Sequence, residues 1–85
     1  IKGNSQWNVQ LYSNLVHDNN LRLMVTGVQG TATLTINDLN GRMIYKRQIQ
    51  NQNGLIHIAA NVPQGFYILH VTTSQGSKSI KFVKE

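Results

Sequence analysis

No cysteine occurs among the 85 residues. That excludes disulfide staples, thiolate metal sites and thiol catalysis, and it leaves the compartment open. Acidic side chains are scarce too: Asp18, Asp38 and Glu85 are the only three. Catalysis by paired carboxylates needs two of them at a set separation. Here one falls in an expected turn and one is the last residue, so no pair is expected. No apolar run approaches the ~20 residues of a membrane span. The first residues also lack the charged-then-apolar pattern of a signal peptide. An exported protein would carry that signal upstream, so the sequence is expected to be part of a longer chain.

Eight Lys and Arg against three acids leave a net charge of +5, which raises the question of an anionic partner. The cations are scattered (Lys2, Arg22, Arg42, Lys46, Arg47, Lys78, Lys81, Lys84), and the imbalance comes from missing acids, with no basic block. Nucleic-acid binding wants aromatics interleaved with cations on one exposed face. Trp7, Phe66, Tyr67 and Phe82 are instead expected to supply core bulk, so no nucleic-acid partner is expected. Gly27-Val28-Gln29-Gly30 lacks the Lys and following helix of a phosphate loop. His17, His57 and His70 fall in different elements, with His57 and His70 expected at solvent-side or edge positions. No nucleophile turn of the Gly-x-Ser-x-Gly kind exists. The expectation is a binding domain without catalytic residues, metal or cofactor.

Turn signals recur at close spacing, at 27–30, 40–41, 51–54, 63–65 and 74–77, with short β-branched and aromatic runs between them. Strands are expected near 7–12, 21–26, 31–37, 42–49, 55–60, 66–73 and 78–84. Ala32, Leu34 and Ile36 alternate with Thr31, Thr33 and Thr35, as on a half-buried strand. The same parity groups Leu21, Leu23 and Val25, then Tyr67, Leu69 and Val71, then Ile80 and Phe82. Trp7, Val9 and Leu11 can share a face before the polar stretch 12–20. No segment keeps helical periodicity for three turns. The pattern predicts an all-β protein, an immunoglobulin-like antiparallel β-sandwich of about seven strands. Residues 1–6 read as a lead-in or linker, and 7–85 as the domain.

Two turns carry more information. At Asp38-Leu39-Asn40-Gly41-Arg42, a two-residue Asn-Gly loop would set Ile36 opposite Tyr45. A type I turn with Gly41 left-handed would pair Asp38 with Arg42 and Ile36 with Ile44. Asp at the first turn position and Gly at the fourth favour the second. At Val62-Pro63-Gln64-Gly65-Phe66-Tyr67, Tyr67 is either a plain core aromatic or a tyrosine corner whose hydroxyl bonds back to the turn.

Three segments together resemble the C-terminal sorting domains of Bacteroidetes type IX secretion cargo. Leu11-Tyr12-Ser13-Asn14-Leu15 is similar to that family's tyrosine-proline-asparagine-proline opening. Asp38, Gly41 and Arg42 match its hairpin. Pro63, Gly65 and Tyr67, followed by Lys81-Phe82-Val83-Lys84 at the end, match its closing strands. The resemblance runs from about Val9 to Glu85. It departs at Ser13 and Leu15, which replace both prolines of the opening motif and remove their stiffening of that connection.

The resemblance implies a non-catalytic signal domain that routes an upstream cargo in the same chain through the periplasm to the cell surface or medium. The implied partners are an outer-membrane shuttle and a sortase-type protease, and Lys81, Phe82, Val83 and Lys84 are the candidate recognition residues. Sheet edges offer a route to weak self-association. The alternatives are a fibronectin-like adhesion or spacer module, or a domain retained by a component of the secretion apparatus.

Overall fold

The computed structural model describes residues 7–12, 15–16, 20–51, 53–59 and 61–85. The expected lead-in 1–6, Ser13, His17 and Asp18 lie outside them. The chain forms β1 (Asn8–Leu11), β2 (Leu15–Val16), β3 (Asn20–Thr26), β4 (Thr31–Asp38), β5 (Met43–Gln50), β6 (Gly54–Ala59), β7 (Gly65–Thr73) and β8 (Gly76–Lys84). All seven expected strands are present, within two residues at each end. The eighth, β2, sits inside the stretch read as a polar connection.

The strands make two sheets, one ordered β1-β3-β6 and the other β2-β8-β7-β4-β5. Every pairing is antiparallel except β2 with β8, which is parallel through Leu15↔Val83 and Val16↔Lys84. The first part of the chain therefore switches sheets, with β1 on one and β2 on the other. Glu85 N–H donates to the Val16 carbonyl at 2.9 Å, so β2 clamps the end of β8.

Period-2 alternation decides what goes inside. Leu21, Leu23 and Val25 of β3 and Ile56 and Ile58 of β6 meet Ala32, Leu34 and Ile36 of β4 and Leu69 and Val71 of β7, all at most 2% exposed. Each large side chain so buried contributes roughly 1.5–3 kcal/mol before ordering entropy is charged against it. Trp7, Val9, Val16, Val28, Ile49, Tyr67 and Phe82 are buried with them, and Leu11 and Ile80 pack at the margin. No polar or charged residue is buried among the described residues.

The β4–β5 hairpin corrects the expected register. Its turn is the type I form: Gly41 has φ +85, Gly41 N–H donates to the Asp38 carbonyl, and Asp38 N–H donates to the Arg42 carbonyl, both at 3.0 Å. Yet Ile36 lies opposite Tyr45, because the register shifts between Ile36 and Asn37. Ile44 is the additional residue of this bulge, 37% exposed, while Tyr45 packs against the core. A bulge swaps the faces of everything beyond it.

β5 is an edge of the larger sheet. Arg47, on its inner face opposite Leu34, reaches the other sheet and donates from Nη1 to the His57 carbonyl on β6 at 3.1 Å. An inward charge and a bulge on an edge strand discourage pairing with another chain.

Candidate recognition face at the C-terminal end of the sandwich

Three elements converge where β8 ends: the β4–β5 turn, the start of β7 and the last residues of β8. The registers Phe66↔Val83, Tyr67↔Phe82 and Ile68↔Lys81 align the last two. Asp38↔Tyr67 brings in the turn. Residues opposite each other share a face. Phe66, Val83 and Lys81 thus lie on the outer surface, and Tyr67 and Phe82 beneath it.

Together with Leu39 these residues line an open groove of about 550 Å³. Leu39 is 66% exposed and Phe66 60%. The floor is aromatic: the Tyr67 and Phe82 rings stack with centroids 5.6 Å apart. Tyr67 is a tyrosine corner, its hydroxyl donating to the Pro63 carbonyl at 2.7 Å. Gly65 permits that corner, since its φ of +154 is one that L side chains rarely adopt. Asp38 builds the turn that carries Leu39. Its Oδ1 accepts from Asn40 N–H at 3.0 Å and Arg42 N–H at 2.9 Å, an Asx arrangement. The Arg42 guanidinium stands 4.0 Å from Asp38 Oδ2 and is 77% exposed, so the pair contributes little to stability.

The residues singled out from the sequence thus separate by role. Asp38, Gly41, Pro63, Gly65 and Tyr67 hold the two turns in shape. Lys81 is exposed and Val83 half-buried, both on the groove. Phe82 is 2% exposed, a core residue that a partner meets only as the groove floor. Lys84 lies just beyond Val83, its Nζ bonded to the Glu85 carbonyl at 3.1 Å.

Phe66 is a correction, because it is largely exposed where core bulk was expected. The signal was available, since inward Tyr67, Leu69 and Val71 force Phe66 outward by parity. Leu39 left no comparable trace, because turn residues have no periodicity.

The two described histidines, His57 and His70, stand on different sheets. His57 is exposed on β6 of the smaller sheet. His70 lies on β7 of the larger, its Nδ1 2.7 Å from Ser79 Oγ. Among the described residues no group of three His, Asp or Glu is placed to hold a metal.

No curated protein sequence matches the chain. A family model, described as a secretion system C-terminal sorting domain, matches residues 4–85. That span takes in the hairpin, the tyrosine corner and the last strand, and on it the chain belongs to the C-terminal sorting domain family of type IX secretion.

Proposed function

We propose that this domain directs an upstream cargo in the same chain across the outer membrane, and that the secretion machinery grips it at the end where β8 finishes. The cargo passes through the periplasm, an outer-membrane shuttle protein binds the folded sandwich, and a sortase-type protease separates domain from cargo at the surface. The domain itself is non-catalytic. The observation that carries this reading is the overlap of the family's closing strand with the exposed apolar groove described above. Lys81 and Val83 stand on that groove.

A reporter with an ordinary secretory signal, fused ahead of this chain in a host with type IX secretion, tests the reading. The intact fusion should reach the cell surface or medium, and removal of Lys81 to Glu85 should leave it in the periplasm. Arrival of the truncated fusion at the intact rate would rule the sorting function out. Because truncation also removes Phe82 from the core, Lys81→Ala with Lys84→Ala gives the fold-neutral arm, expected to reduce export.

A further inference from the structure

The groove is finished differently from a surface that is merely tolerated. Its two most exposed apolar residues, Leu39 and Phe66, come from separate elements and leave large side chains in water. The two adjoin over one concavity, which exposed Tyr12, Met43 and Leu55 do not line, and contiguous apolar surface rimmed by polar groups is where partners bind. Its floor is fixed before any partner arrives, through the stacked Tyr67–Phe82 pair and the corner bond to Pro63. The turn is fixed as well, by the two amides on Asp38 and by Asn37 Nδ2 donating to the Gly41 carbonyl at 3.1 Å. A preformed site avoids the ordering cost of binding. Its volume falls within the range of ligand pockets.

Two cations flank it. Lys81 stands on the wall and Arg42 on the same turn as Leu39, both exposed. Asp38, the acid on that turn, accepts the two backbone amides at Oδ1, and its Oδ2 stands 4.0 Å from the Arg42 guanidinium, which is itself 77% exposed. With the chain at +5, the field at this end favours an anionic partner. A membrane surface fits less well. Peripheral attachment uses clusters of about 4–8 Lys and Arg or a protruding amphipathic face, and this site is a concavity with two cations beside it.

We propose that the groove docks an acidic segment of a partner protein by one bulky apolar side chain, with Leu39 and Phe66 as anchors and Lys81 and Arg42 reading the flanking carboxylates. The proposal rests on the sorting reading for its setting, and adds residues outside the terminal strand to the recognition surface.

The probe is a capped pentapeptide with phenylalanine between two pairs of acidic residues, titrated into the isotope-labelled 85-residue chain at low salt. Resonances of Leu39, Phe66, Lys81 and Val83 should move together. A peptide with alanine for phenylalanine should bind about tenfold more weakly, the loss expected for one aromatic side chain left unburied. A peptide with lysines for the acids should not bind. Absent shifts, shifts spread over all the lysines, or binding only to phosphatidylglycerol vesicles would overturn the proposal.

The reporter assay separates this idea from the sorting reading. Leu39→Ser with Phe66→Ser should keep the thermal midpoint and lose export. If that variant exports normally while the Lys81 to Glu85 truncation does not, sorting stands and the groove proposal fails. If the intact fusion is not exported at all, the sorting reading itself fails. Should the serine pair lower the midpoint, Lys81→Glu decides instead, and its export at the intact rate would overturn the proposal.

Discussion

At the end of the sandwich opposite the groove, three loops are tied together by side-chain amides. Asn53 Oδ1 accepts from Val28 N–H at 2.9 Å while its Nδ2 donates to the Val28 carbonyl at 3.0 Å. Asn51 does the same for Gly30, its Oδ1 accepting from the Gly30 amide and its own N–H donating to the carbonyl, both at 2.9 Å. Gln75 spans Gln29 N–H and the Gly27 carbonyl at 3.2 and 3.4 Å. Each amide mimics one rung of a β-ladder and closes a loop without any ion pair. At the groove end the turns are equally well held, by Asp38 and Tyr67, yet Leu39 and Phe66 are left outside. Both ends solve the backbone's hydrogen bonding, but the groove gathers Leu39 and Phe66 over one concavity, while Leu55, 46% exposed beside the Asn53 loop, lies on the outer face of β6. What distinguishes the proposed recognition face is unused apolar surface gathered on a rigid frame.

The comparison can be broken by substitution. The largest expected effect is Phe82→Ala, which should destabilise by about 3–5 kcal/mol because it opens a core cavity and removes the groove floor. A shift of the urea midpoint corresponding to less than ~1 kcal/mol would mean that Phe82 is not the shared support of core and groove. Next comes Asn53→Ala at the opposite end, which unpairs both backbone groups of the buried Val28 and should cost roughly 1–3 kcal/mol. A neutral outcome would show that water replaces the amide and that this end is not locked. Tyr67→Phe removes one hydrogen bond and keeps the ring, so about 1 kcal/mol should be lost. Hydrogen exchange around Pro63 and Gly65 should then quicken while the Asn53 loop is unaffected. Smallest is Lys81→Ala with Lys84→Ala, which should change stability by no more than ~0.5 kcal/mol.

The strands were legible because alternation is a local signal. Leu34 with Ile36, and Leu69 with Val71, declare the inner face within a few residues. The corner at Tyr67 was legible as a pair of readings, and its 2.7 Å bond to Pro63 decides between them. β2 was hidden because two residues in a parallel pair have no period to read. The bulge at Ile44 was hidden because Ile36 can face either Ile44 or Tyr45 with similar apolar gain, and packing of Tyr45 against the core selects the second. The groove was half visible. Lys81 to Lys84 stood out as a terminal strand, but Leu39 and Phe66 join them only through the β4–β7 and β7–β8 registers. Leu15, which replaces a proline of the family's opening motif, begins β2 all the same.

The central claim is that the machinery reads the groove end and is indifferent to the amide-locked end, provided the domain folds. One export assay tests it, with two variants of the same reporter fusion: Leu39→Ser with Phe66→Ser, and Asn53→Ala. The first should keep its thermal midpoint and lose surface delivery, while the second should lose midpoint and still be delivered once corrected for the folded fraction. If delivery instead follows the midpoint in both variants, the machinery recognises only a folded sandwich, and the groove is no recognition face.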